Sequence, residues 1–350
     1  VRFGASPTNV VERLLDSASL LPTPLADTLL GTWLVRTVIV ASKLGVFDAL
    51  EPGPQPAAQV ARVCGTHPEA TDKLLGALVG AGYVSCDATG RYTLTRMSRR
   101  WMPSRGALSL HDHMQLMFIA WRWMDHYEEF VRTGRPLDVH TDLRDGEWAV
   151  YQRGMQSIAR VSAPEVAART PVPRGATAML DVGGAHGFYS VAICRRHRRL
   201  RSTILDLPEA VEASAPLLAS HGLGDRVVHL AGDARTHDYG TEAYDLIFAA
   251  NILHHFDDAT NRDLMRRFAR ALRPGGYAVV QEIERSDARR DPDQVGALGD
   301  LYFAMLSDSG TLAFSQVADW QREAGLEPRK ARRLFTLPGT GQQAGRKAAR

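Results

Sequence analysis

Residues 178–190 read A-M-L-D-V-G-G-A-H-G-F-Y-S, and this stretch decides the fold. A short apolar strand (Met179, Leu180, Val182) runs into a glycine cluster (Gly183, Gly184, Gly187), and an apolar helical stretch (Phe188, Val191, Ala192, Ile193) follows at once. Strand, tight turn and helix in that order bring backbone close to a nucleotide-like ligand and aim a helix N-terminus at it. The dinucleotide pattern G-x-G-x-x-G fails in both frames. Counted from Gly183 it needs glycine at Ala185 and Phe188, and counted from Gly184 at His186 and Tyr189. NAD and FAD are therefore disfavoured, and no G-x-x-x-x-G-K-[ST] run supports a P-loop.

Working outward, Arg201–Leu207 reads as the next strand, with Asp206 at its carboxyl end where a ribose-binding carboxylate belongs. A third strand, Val227–Leu230, leads into Gly232-Asp233-Ala234. Acids at three successive strand ends, Asp181, Asp206 and Asp233, suit a ligand with an amine, a ribose diol and an adenine amine. S-adenosylmethionine has all three. Capping of helices or turns is the plainer role for Asp181 or Asp233 taken singly.

These pieces carry a resemblance. The segments D-V-G-G-A-H-G at 181–187, L-D-L-P at 205–208, A-G-D-A at 231–234, I-L-H-H-F-D-D at 252–258, L-R-P-G-G at 272–276 and V-V-Q-E at 279–282 follow one another in order. In that order they resemble the small-molecule O-methyltransferases that use S-adenosylmethionine. The resemblance implies an α/β fold: a Rossmann-like class I methyltransferase core, doubly wound on a mostly parallel seven-stranded sheet, behind a mainly helical winged-helix dimerisation domain. It implies cofactor contacts from Asp181, Gly183, Gly184, Asp206, Leu207, Asp233, Ala234 and Ala250. In the family's H-x-[WF]-x-D pattern His254 is the general base, His255 the variable position, Phe256 the aromatic shelf and Asp258 the terminal acid. Glu282, ending the strand Tyr277–Gln281, falls where the family has the Glu that steadies the base. The implied domains are 1–105 for dimerisation, 106–165 for linking helices along the substrate, and 166–350 for cofactor and catalysis.

Elementary chemistry supports the His–Glu reading. Methyl transfer is an in-line displacement at a sulfonium, so the enzyme must align the acceptor and remove its proton. A phenol has a pKa of about 10 and an imidazole one of about 6.5, which makes His a workable base at neutral pH. A carboxylate on the other imidazole nitrogen fixes the tautomer. Plain alternatives stand beside these: a core histidine at His254 and an exposed strand end at Glu282. Many plant members carry a second Glu, but Ser309–Ala318 holds no acid. The cluster His254, His255, Asp257, Asp258 also admits a 2-His-1-carboxylate metal site, although neighbouring residues rarely both reach one ion.

With 350 residues the chain has room for two domains. Its net charge of +3 gives no strong pull toward an acidic partner, and the runs Arg195–Arg201 and Arg262–Arg273 read as solvated helix faces. Cys64, Cys86 and Cys194 lack C-x-x-C spacing, which excludes a zinc knuckle and fits a reducing cytoplasm. The apolar run Val38–Leu50 is interrupted by Lys43 and Asp48, so no membrane span and no leader are expected. Residues 1–20 and the tail Gly339–Arg350, rich in Gly, Gln and basic residues, are expected to fray.

Thr28–Leu50 is apolar on almost every side and is expected to be buried, as a subunit interface would be. Helices at Gln55–Cys64 and Glu69–Ala81, then strands at Tyr83–Cys86 and Arg91–Thr95 around the turn Asp87–Gly90, spell a winged helix. A DNA reader needs several cations on its second helix, and Glu69–Ala81 offers only Lys73. The module therefore reads as a homodimer interface, as in the resembling family, and not as a nucleic-acid binder. Met114, Met117 and Trp121 on the stretch Leu108–Tyr127 are either core or the wall of an aromatic acceptor site. Tyr151 and Met155 with Trp148, then His255 and Phe256, and Tyr302, Phe303 and Leu306 within Asp300–Ser309, complete the expected pocket.

The reading is an S-adenosylmethionine-dependent methyltransferase acting on a phenolic hydroxyl in secondary metabolism. The alternatives are C-methylation of an activated ring or a ketoacid, a winged-helix regulator that senses the cofactor, and a member that binds the cofactor without transferring its methyl group.

Overall fold

The computed structural model describes residue 4, residues 6–285, residue 287, residues 293–307 and residues 309–349. Of the stretches read above, positions 1–3 and 5, Asp308 and Arg350 lie outside the described residues. The chain divides into a unit up to Ile119 and a unit from Ala120 onward. That division falls inside the helix His111–Met124, not at 105 or 165.

In the N-terminal unit, helices Ala57–Cys64 and Pro68–Gly80 precede a small antiparallel sheet. Its strands are β1 (Gln55–Pro56), β2 (Val84–Cys86) and β3 (Arg91–Leu94), in the order β1-β3-β2. The winged-helix outline thus gains one strand over the sequence reading. Asp87 Oδ1 accepts hydrogen bonds from Thr89 and Arg91 and closes the β2–β3 turn. Phe47, Leu50, Val60, Leu75 and Leu78 form the buried core.

Two expectations change here. Residues 10–17, within the stretch expected to fray, form a helix capped by Asn9, with none of its residues buried. The helix Gly31–Lys43 buries Gly31, Val38, Ile39, Ala41 and Ser42 only. Leu30, Trp33 and Val35 remain 55%, 57% and 41% exposed, because a single small core lies on one side of a helix that is apolar all round. The helical run Thr23–Lys43, which ends at the Lys43 interruption, is also long and apolar enough to cross a membrane by length and composition. Lys43, exposed at the end of that helix, has its ammonium 4.4 Å over the ring of Phe118.

The second unit is built on one sheet: β4 (Ala178–Val182), β5 (Arg201–Asp206), β6 (Val227–Ala231), β7 (Tyr244–Ala250), β8 (Leu272–Ile283), β9 (Leu326–Pro328), β10 (Arg332–Arg333) and β11 (Thr340–Lys347). The order is β10-β11-β8-β7-β4-β5-β6, with β9 also paired to β11. Strands β4 to β8 are mutually parallel, and β11 runs antiparallel to β8. The chain moves from β4 outward to β6 and returns to β7 on the other side of β4. That reversal opens a crevice at the carboxyl ends of β4 and β7. β4 reads as an apolar run because both its faces are covered: Leu180 and Val182 belong to one buried cluster and Met179 to the other.

The tail expected to fray is instead β11, buried from Thr340 to Ala344 and paired with β8 along Tyr277–Ile283. Two of its buried amides find partners on neighbouring elements: Gln342 Nε2 donates to Gln281 Oε1 on β8 at 3.1 Å, and Gln343 Nε2 to Gln321 Oε1 at 3.1 Å. Gly341 is needed there, since a Cβ would lie 2.6 Å from the Phe314 ring.

Candidate active site

A cavity of about 690 Å³ opens over the carboxyl ends of β4, β5, β6 and β7. Its floor is the glycine turn. Gly183 has φ +69°, and Gly187, at φ +69°, starts the helix Phe188–Arg196. Gly184 is required by what lies beneath it, because a Cβ there would come within 2.4–2.7 Å of the Asp181 carboxyl group. Ala185 also takes a positive φ, +33°. Its N–H donates to Asp206 Oδ2 at 2.8 Å, and its carbonyl bonds His229 Nε2 at 2.7 Å, so the turn is tied to the ends of β5 and β6.

The three acids sit differently. Asp206 is on the cavity wall, with Oδ1 accepting the Leu207 N–H at 2.8 Å, and burial pushes its carboxyl up to about 6. Asp233 also lines the cavity, but its carboxylate is engaged by Arg235, with Nη2 to Oδ2 at 2.6 Å. Asp181 does not reach the wall. It is 1% exposed beneath Gly184, takes the Ser190 hydroxyl on Oδ2 at 2.6 Å, and leaves Oδ1 without a partner. Burial moves that carboxyl up to about 7. The strand-end count placed it on the rim; the missing Cβ of Gly184 instead makes room for it below. Gly183, Gly184, Leu207, Ala234 and Ala250 line the same cavity.

At the other end of the cavity the wall turns aromatic. Tyr151 and Met155 come from the helix Glu147–Arg169, His255 and Phe256 from the turn after β7, and Leu306 from the end of the helix Gln294–Leu306. His140, which the sequence reading missed, stacks on Trp148 with ring centroids 5.6 Å apart and stands 5.0 Å from His255. No local signal marks His140, since a short helix, Val139–Asp142, carries it there. Trp121, Tyr302 and Phe303 are not on this wall: Phe303 turns toward His254, at 4.5 Å, and Tyr302 packs edge-on against Phe303. Met114 and Met117 belong to the N-terminal unit, where Met114 packs against the core.

Behind His255 lies the buried pair. His254 Nδ1 is 2.8 Å from Glu282 Oε2, and the two side chains are 4% and 1% exposed. The other carboxylate oxygen accepts the Leu253 N–H at 3.0 Å, so β8 holds both the imidazole and its backbone turn. Asn261, also missed, donates from Nδ2 to the carbonyls of Leu253 and Phe256 at 2.9 Å and fixes that turn from the helix Asp258–Ala271. The helix Asp258–Ala271 is capped by Asp257, whose side chain accepts the Thr260 N–H. Asp258 instead accepts from Trp320 Nε1 at 2.9 Å. His255 has no carboxylate, and burial with the neighbouring His254 and His140 keeps it well below the usual imidazole range. Among the described residues no three His, Cys, Asp or Glu side chains are placed to hold a metal ion.

Residues 129–318 match the O-methyltransferase domain, and residues 26–104 match the O-methyltransferase dimerisation domain. The chain belongs to the O-methyltransferase family. It is 30% identical to the mitomycin biosynthesis 6-O-methyltransferase of Streptomyces lavendulae, over 73% of this chain and 75% of the relative. It is 25% identical to the 3-hydroxy-5-methyl-1-naphthoate 3-O-methyltransferase of Streptomyces sahachiroi, over 93% of this chain and 96% of the relative. In fold it matches human N-acetylserotonin methyltransferase, solved with its S-adenosylmethionine cofactor, at a TM-score of 0.82 and 21% identity over 99% of this chain and 100% of that one. The cofactor of this O-methyltransferase is S-adenosylmethionine. The lining fits it: Asp206, each of whose oxygens takes one backbone N–H and keeps a further lone pair, lies on the wall, the glycine turn admits close approach, and the volume lies within the range of small-molecule sites.

Proposed function

We propose that this O-methyltransferase methylates a phenolic hydroxyl of an aromatic natural product, with His254 as general base and Glu282 as the residue that positions it. The observation that carries the reading is the buried 2.8 Å contact between His254 Nδ1 and Glu282 Oε2. A carboxylate accepts, so Nδ1 carries the hydrogen and Nε2 keeps the lone pair. The acceptor's proton passes to Nε2, and Glu282 stabilises the imidazolium that forms. The cofactor supplies a methyl group on a positively charged sulfur. The phenolate oxygen bonds that carbon as the carbon–sulfur bond breaks.

Gly183, Gly184, Asp206, Leu207, Asp233, Ala234 and Ala250 hold the cofactor in this reading, with Asp181 supporting the turn from below. Tyr151, Met155, His255, Phe256 and Leu306 bound the acceptor. The rings of His255 and Phe303, 4.2 and 4.5 Å from His254, border its approach to the base. Relatives named as a hydroxynaphthoate 3-O-methyltransferase and a mitomycin biosynthesis 6-O-methyltransferase support an aromatic acceptor of secondary metabolism. The dimerisation-domain match and the exposed face of Leu30, Trp33 and Val35 support a homodimer whose partner covers that face.

The test is His254→Ala against a panel of phenols, followed by mass spectrometry, with NMR of the product to separate oxygen from carbon methylation. Turnover should fall by about a hundredfold or more. Near-normal turnover would overturn the assignment of the base.

A further inference from the structure

His186 occupies the position of the glycine turn that neither dinucleotide frame could use, and the methyl-transfer chemistry leaves it without a task. Its side chain is on the cavity wall and the residue is only 8% exposed. The backbone N–H of Phe188 donates to its Nδ1 at 3.1 Å. A nitrogen that accepts carries no hydrogen, so the tautomer is fixed and Nε2 is the donor. Burial, then the nearby His221, Arg160 and His229, push its pKa down to about 3, and the ring is neutral throughout the working range of an enzyme. Among the described residues no group accepts from Nε2.

The surroundings favour a negative partner. The helix Phe188–Arg196 begins at Gly187 with no side-chain cap and no acidic residue in its first turn. The positive end of this helix, whose Phe188 N–H is already given to His186, adds to the field of Arg160. Asp206, whose two oxygens bond Ala185 and Leu207, marks the ribose side of the same turn. S-adenosylmethionine has one anionic group, the carboxylate of its amino-acid tail. We propose that His186 is a cofactor-positioning residue whose Nε2–H donates to that carboxylate, so that the turn holds the ribose through Asp206 and the tail through His186.

The experiment is calorimetric titration of S-adenosylhomocysteine, which has the tail, and of 5′-methylthioadenosine, which lacks it, into the full chain. His186→Asn keeps an oxygen that can accept the Phe188 N–H while removing the distant donor. The variant should bind S-adenosylhomocysteine about tenfold more weakly, as loss of one hydrogen bond to a charged group requires, and methylthioadenosine as tightly as the parent does. Equal losses for both ligands would make the ring a prop of the turn and overturn the proposal, as would no loss for either. Should the variant fail to fold, ¹⁵N-histidine NMR of the unaltered protein reads the same contact. The Nε2 resonance of His186 should shift on adding S-adenosylhomocysteine and stay in place with its decarboxylated analogue. A shift with both, or with neither, would overturn the assignment.

Discussion

Glu282 holds His254 twice: one carboxylate oxygen lies 2.8 Å from Nδ1, and the other accepts the N–H of Leu253 at 3.0 Å. One side chain thereby sets both the ring's tautomer and the backbone from which the ring projects. Glu282→Gln keeps a carbonyl for one of these bonds and loses the charge that stabilises the imidazolium. We expect kcat to fall by about a hundredfold, with the affinity for S-adenosylhomocysteine unchanged. Steady-state kinetics beside calorimetry check both halves, and an unchanged kcat would count against the pair.

If Asp206 holds the cofactor as proposed, its carboxyl, raised to about 6 by burial, should make cofactor binding depend on pH. Only the ionised form accepts from a diol with all its lone pairs. Affinity should therefore be full above pH 6 and decline as the pH falls through that value. His186, at about 3, stays neutral across the same window and adds no slope. Titrations of S-adenosylhomocysteine at pH 5 and pH 8 test this, and a flat profile would contradict it.

Asp181, raised to about 7, acts on stability in the opposite sense to a salt-bridged carboxylate. Its folded-state pKa lies above the unfolded value, so its contribution is fully present below the unfolded pKa and is lost as the pH rises through 7. The loss is on the order of a few kcal/mol. Asp181→Asn should remove that slope, giving a higher Tm than the parent at pH 8 and a smaller difference at pH 5. Thermal melts at the two values measure it.

Gly184→Ala places a methyl group 2.4–2.7 Å from the Asp181 carboxyl. Neither the turn nor the buried acid can yield freely, and a cost of about 1–3 kcal/mol is expected. The same change should weaken S-adenosylhomocysteine binding by more than about tenfold. Retained affinity with a lowered Tm would separate the packing effect from the site.

At the far edge of the sheet, Gly341→Ala would put a Cβ 2.6 Å from Phe314 and 2.9 Å from the Arg332 carbonyl. A backbone oxygen cannot rotate away as a side chain can. The melting temperature should fall by about 2–4 °C for each kcal/mol of strain in a unit of this size. Differential scanning calorimetry checks it.

The glycine turn, the parallel strands and the His254–Glu282 pair were legible because each is signalled locally: glycines at a strand end, acids at the next strand ends, a His-containing turn after β7. What escaped the sequence depends on long-range packing. His140 and Asn261 reach the site from a short helix and from the far side of a turn, with ordinary surroundings in the chain. Asp181 looked like its neighbours Asp206 and Asp233, yet the space above a glycine drew it inward. The glutamines of β11 looked solvated by composition, and they are buried in β11 with Gln342 donating to Gln281 and Gln343 to Gln321. The Thr28–Leu50 stretch erred the other way, since an all-apolar helix needs more protein around it than one chain provides.

The place of β11 orders the protein's assembly during synthesis. Glu282 lies on β8, and its antiparallel partner across the sheet is Gly341. The ribosome makes the cofactor turn and the His254 loop long before it makes that partner. Until residues 340–347 emerge, one edge of β8 remains open with Glu282 on it. An unfinished chain can thus form the glycine turn while β8 still presents an open strand edge of the kind that pairs with other chains.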